Sequence, residues 1–231
     1  MENKNNFDLS PRNENKRDKL IPEIVKFNLA EIKSHFDESA SAIRALFSIA
    51  NHEENEDMCN IWRAQIVFLV SAFDFYMHEI TKFGLCEIFD GNWGETVKFK
   101  NTTITMRDIK WALENGWTTE WFLQLVNNSY SDMTMVSYKA VKDQMSLLGI
   151  KIADIAKTAF YKQGSHEKTD EKLKRRLNEL YHRRNIIAHQ ADRAHTDAQK
   201  GAISMQIVKE FIDDTEKIVS AIDQEIQGKC M

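Results

Sequence analysis

Apolar residues recur at helical spacing along most of this chain. Val25, Leu29, Ile32, Phe36, Ala40, Ile43, Phe47 and Ala50 follow one another at intervals of three or four, which places them on one face of a long first helix. Pro22 stands just ahead of it, where a first helical turn tolerates proline. The acidic stretch HEENED (52–57) ends this helix or links it to the next. The second helix, about 58–89, carries IWRAQIVFLVSAFDFYMHEI and is apolar on nearly every face, the pattern of a helix in the middle of a bundle.

Beyond GNWG (91–94), VKFKNTTITM alternates and is rich in threonine, so a short hairpin near 96–105 or an extended loop is expected. Shorter helices follow: MRDIKWALEN, TTEWFLQLVNN with a threonine cap, SYKAVKDQMSLLG stopped by Gly149, and KIADIAKTAFYK. A polar link, GSHEKTDEK, leads to a helix of about 169–192 whose apolar stripe is Leu173, Leu177, Leu180, Ile187 and Ala191. Helical spacing puts Arg184 in the gap of that stripe. A second stripe, Asn178, His182, Asn185, His189 and Asp192, is wholly polar. The last helix begins near Ser204, a good cap, and presents Ile207, Val208, Phe211, Ile212, Thr215, Ile218, Val219, Ile222 and Ile226 to the core. The fold expected is an all-α up-and-down bundle forming one domain over 20–231. Its core helices span about 20–89 and 169–227, with small inserted helices at about 90–165. The polar residues 1–19 read as a disordered tail.

Composition narrows the chemistry. Only 8 Gly and 2 Pro in 231 residues argue against an all-β fold, which needs many tight turns. Cys59, Cys86 and Cys230 are odd in number and form no CxxC pair, so neither a disulfide framework nor a cysteine zinc site is expected, and a cytoplasmic setting is. The N-terminal residues contain no apolar stretch of the secretory kind, and the longest apolar run, Ile66 to Ala72, is far too short for a bilayer. There is no HExxH and no Cys/His cluster, while His78-Glu79 and His166-Glu167 are isolated, so no metal is expected. No glycine-rich phosphate loop suggests a nucleotide cofactor, and none is expected.

A net charge of −4 argues against a surface coated with phosphate-binding groups. Locally the balance reverses: residues 168–184 hold seven Lys/Arg against three acids. Lys172, Arg175, Arg176 and Arg183 are the expected RNA-binding groups of that run, set against the plainer reading of a solvated helix face. Four of the five tryptophans (93, 111, 117, 121) fall in the middle of the chain. They suit a base-stacking surface or, more commonly, a core.

The basic run ends in Arg183-Arg184-Asn185-Ile186-Ile187-Ala188-His189. Arg184 on an apolar stripe calls for an anionic partner. Asp74, a carboxylate in the apolar second helix, calls for a cationic or hydrogen-bonding one. Arg63 lies eleven residues before Asp74 on the same helix, roughly 16 Å along the axis, and cannot serve. Arg184 or His189 is the expected partner. Asn185 stands one turn before His189, placed to orient the imidazole. An arginine to grip a phosphate and a histidine able to exchange a proton near neutral pH suffice for RNA cleavage by the RNA's own 2'-hydroxyl. Arg184 and His189 are therefore the candidate catalytic pair, with Asn185 and Asp74 as supports. Residues five apart on a helix diverge by about 140°, so one helix presents the pair poorly to a single phosphate. Two copies across a two-fold axis solve this, and a homodimer with a composite site is expected.

RRNIIAHQADR resembles the Rx4-6H signature of the HEPN superfamily, including the polar residue after the arginine. QIVFLVSAFDFYMHEI and SYKAVKDQMSLLGI resemble the first core helix and the middle segment of its RiboL-PSP branch. The resemblance spans roughly 58–226. It implies a four-to-five-helix up-and-down core, a homodimer and metal-independent endoribonuclease activity. It further implies a toxin or antiviral-defence effector, restrained by a cognate antitoxin or triggered by a sensor. The alternative is a non-catalytic dimerisation or RNA-binding module, in which Asp74 and Arg184 form a structural pair and His189 is a helix-end residue favoured by the macrodipole.

Overall fold

The computed structural model describes residues 24–49 and 55–230. The expected tail, Pro22, Ala50 and the first half of the acidic link fall outside them. The described residues form nine helices: α1 (Leu29–Ile49), α2 (Glu56–Phe89), α3 (Val97–Lys100), α4 (Met106–Asn115), α5 (Thr119–Tyr130), α6 (Tyr138–Leu147), α7 (Ile152–Phe160), α8 (Thr169–Gln190) and α9 (Met205–Cys230). Helix starts follow local chemistry. Asn28 and Glu31 cap α1 reciprocally, each side chain accepting from the other's backbone N–H. Asn55, Thr118 and Ser204 accept from Met58, Trp121 and Ile207 at the starts of α2, α5 and α9. Gly149, at φ 75°, lets the chain leave α6 in the left-handed region.

α2 is the hub, packed by α1, α5, α6, α8 and α9. Ile66, Leu69, Val70, Phe73, Tyr76, Met77 and Ile80 are sealed from solvent along it. The stripe of α1 meets it through Ile32, Phe36, Ala40 and Ile43; Val25, the first residue of the expected stripe, precedes the helix and is exposed. α9 closes the far side, with Tyr76 donating to the Val219 carbonyl. One face of α2 stays open: Phe68 is 52% and Phe75 44% exposed.

The threonine-rich segment forms no hairpin. Thr96 caps the single turn of α3 and also donates to the Leu147 carbonyl, while Thr105 caps α4. With no neighbouring strand to pair with, these local side-chain bonds win. Among the described residues the one β pairing is an isolated bridge between Arg193 and Lys200. The tryptophans divide: Trp93 and Trp121 are core, Trp111 and Trp117 are exposed.

Two stability predictions follow from the packing. Truncating Phe73 to alanine at the centre of α2 should cost about 3–5 kcal/mol in urea unfolding. Asp223 of α9 is buried with Oδ2 accepting from Gln227 and Oδ1 unpartnered among the described residues. Burial pushes its carboxyl up; Asp37 adds to this and Lys33 and Gln227 oppose it. The folded state therefore holds this proton more tightly than the unfolded chain. The resulting stability is complete below the ordinary value of 3.8 and is lost as pH rises through the raised one. Asp223→Asn should raise the melting temperature at pH 7 and not at pH values below the ordinary aspartate range.

Candidate active site

α8 is buried at its start and emerges at its end. Leu173, Leu177 and Leu180 are sealed in the core. From Tyr181 onward that cover is lost. Arg184, Asn185, Ile186 and Ile187 are half-buried, and Ala188, His189 and Gln190 are exposed. The expected apolar stripe fails at Ala191, which is exposed, while Ile187 is half-covered and packs against the core. Arg184 is correspondingly not a core residue. Its guanidinium lies 5.8 Å from the centre of the Tyr181 ring, and no carboxylate of the described residues pairs with it. The His189 side chain makes no hydrogen bond or ion pair with any described residue, and Asn185 does not bond to it.

Asp74 does not meet either of them. Its Oδ1 accepts from the backbone N–H of Met135 at 2.6 Å and lies 4.0 Å from His78 Nε2. The loop between α5 and α6 satisfies the carboxylate, so the expected Asp74–Arg184 or Asp74–His189 pair is not formed. The structural pair on which the non-catalytic alternative stood is thereby removed.

The expected RNA-binding cations are largely spent inside the protein. Arg175 is bridged by Glu167 at 3.0 Å and Glu179 at 3.2 Å. The hydrogen bond from Arg175 holds Glu167 below the usual carboxylate range. Arg176 pairs with Asp214 and Glu179 and lies over the Phe211 ring. Lys172 sits over Phe160. Arg183 turns inward to Asp192, so its expected placement toward RNA is not what the side chain adopts. Of the four arginines of α8, Arg184 alone has no carboxylate among the described residues.

Asp192, Arg63 and Gly201 form a cluster that sequence reasoning missed. The Asp192 side chain is 0% exposed and receives two guanidinium groups. Arg63 Nε donates to Oδ2 at 2.6 Å, and Arg183 Nη2 to the same oxygen at 2.8 Å. Arg183 Nη1 lies 2.8 Å from Oδ1, within ion-pair range though off the hydrogen-bond direction. Arg63 Nη2 donates to the carbonyl of Gly201, and the same Arg183 Nη2 is shared with the carbonyls of Gly201 and Ala202. A Cβ at position 201 would overlap the Arg183 guanidinium, so this close approach requires glycine. One signal was available: Arg63 is a cation in the apolar helix, and Asp192 is the acid nearest the motif.

The sequence model of the RiboL-PSP-HEPN family matches residues 28–228. The chain belongs to this family. It matches no curated protein and no solved structure. The HEPN match takes in α1 to α9 almost entire and agrees with an all-helical architecture that has no strand among the described residues. It associates the chain with RNA-directed chemistry. Among the described residues no group of three His, Cys, Asp or Glu side chains is placed to hold a metal ion, and no helix is long and apolar enough to cross a membrane.

The ion pairs of this HEPN chain differ in what they are worth. Asp192→Ala strands two buried guanidiniums and should cost about 3–5 kcal/mol. Arg175→Ala breaks an exposed pair and should cost about 0–1 kcal/mol. Urea unfolding of the two variants checks the contrast.

Proposed function

We propose that this protein is a metal-independent endoribonuclease that cuts RNA through its own 2'-hydroxyl, with Arg184 and His189 as the catalytic residues. The observation that carries the reading is the charge accounting of α8. Three of its arginines are neutralised by carboxylates, while Arg184 is half-buried with no carboxylate among the described residues, five residues before the exposed His189. A guanidinium in that state is a site for a phosphate.

His189 acts as general base on the 2'-hydroxyl or as general acid on the leaving 5'-oxygen. The 2'-oxygen bonds to phosphorus and the bond to the 5'-oxygen breaks, leaving a 2',3'-cyclic phosphate and a 5'-hydroxyl. Arg184 neutralises the charge that grows on the phosphoryl oxygens. Asn185 makes no bond to the imidazole and has no role in the step; Asp74, held by Met135, takes no part. DNA lacks the nucleophile and is not cut by this route.

The site is completed by a second copy of the chain. Arg184 and His189 diverge around α8 and need a facing helix to converge on one phosphate. The open face of α2 suits such a contact. Phe68 and Phe75 border a groove of about 560 Å³ against His35, Ala42 and Leu46 of α1. A nuclease of this kind harms its host unless held in check, which suits a toxin or antiviral-defence effector with an antitoxin or sensor partner.

The test is cleavage of RNA by purified protein in EDTA, with the new ends mapped. Wild type should leave 2',3'-cyclic phosphates, and Arg184→Ala or His189→Ala should lower the rate by about 10²–10⁴-fold without loss of fold. Cleavage that persists in both variants contradicts the assignment. Phe68→Glu should yield a monomer in sedimentation and an inactive one.

A further inference from the structure

We propose that the buried Arg63–Asp192–Arg183 cluster is a positioning device for His189, and that Asp192, Arg63, Arg183 and Gly201 set the rate of the reaction without touching RNA. The inference rests on the ribonuclease reading above.

His189 stands in the last turn of α8, where helices fray most readily. No described residue holds its ring, so the imidazole is only as well placed as the backbone beneath it. That backbone leaves the helix in an unusual way. Ala191 and Asp192 are consecutive non-glycine residues in the left-handed region, at φ 50° and 61°. The N–H groups of both return to the Ile186 carbonyl. Such a pair of conformations persists only where the surroundings over-determine it.

The cluster supplies that determination. Asp192 lies three residues past His189, and its carboxylate is fixed by one arginine from α2 and one from α8 itself. The same two arginines bind the Gly201 carbonyl, while the Gly201 N–H donates to the Asp192 carbonyl. The exit of α8, the start of α2 and the loop into α9 are locked to one another at a single sealed carboxylate. Two permanently cationic guanidiniums against one carboxylate also leave a unit of positive charge at this end of α8. Asp192 and Arg63 are buried, and the Arg183 guanidinium is committed to Asp192 and to the Gly201 and Ala202 carbonyls, so their contribution to catalysis runs through the position of His189.

Two variants separate positioning from folding. Asp192→Asn removes the charge but keeps a residue that tolerates the left-handed region. Gly201→Ala keeps every charge and displaces the Arg183 guanidinium. Each is measured for kcat and KM on RNA, and for amide hydrogen exchange at 187–190 against core amides of α2. Expected are a kcat lower by about 10²-fold with KM changed by less than about twofold, and exchange faster at 187–190 alone. A kcat within about twofold of wild type in folded Gly201→Ala overturns the proposal, whatever becomes of Asp192→Asn. Should wild type cut no RNA, the ribonuclease reading is what fails. The exchange measurement still judges the cluster: protection at 187–190 unchanged in Gly201→Ala overturns it independently.

Discussion

A carboxylate sealed from water costs several kcal/mol in lost hydration, and it persists here because two guanidiniums answer it. Asp192 is the point at which the end of α8 is tied to α2 and to the loop into α9. The core itself needs no such device, since α2 offers apolar surface on nearly every side and α1, α8 and α9 bury it. The last two turns of α8 are different. Their apolar residues are at most half-covered, Tyr181 and Ile187 packing against the edge of the core, and the charge cluster at Asp192 holds the end.

Along α8 the same logic divides one kind of residue into two roles. Arg175, Arg176 and Arg183 stand on one helix with Arg184, and the sequence makes them look like a single basic patch. Folding brings Glu167, Glu179, Asp214 and Asp192 against the first three. Among the described residues Arg184 is then the one arginine of α8 left without a carboxylate, while Lys172 and Lys174 also form no ion pair. The family match to RiboL-PSP-HEPN sets the architecture in which this happens.

The helices were legible because their signals are local. The stripes of α1 and α9, the caps Thr118 and Ser204 and the stop at Gly149 each depend on residues a turn or so apart. The features that were not legible depend on partners far along the chain. Asp74 finds a backbone N–H sixty-one residues away, which no side-chain pattern announces. Arg176 is neutralised from α9, thirty-eight residues on. The burial expected of Arg184 extrapolated a stripe beyond the length over which the core covers it. VKFKNTTITM alternates like a strand, yet Thr96 just before it and Thr105 within it serve as caps, and no strand lies beside it among the described residues. The Arg63–Asp192 pair joins residues 129 apart and was hidden for the same reason.

The most direct test of the composite site is to mix two inactive proteins. Arg184→Ala and His189→Ala subunits are unfolded together, refolded as heterodimers and assayed on RNA in EDTA. A site built from the arginine of one subunit and the histidine of the other is then restored once per heterodimer. The account predicts that cleavage returns in the mixture while each parent stays inactive. A mixture that forms heterodimers and remains inactive would contradict it.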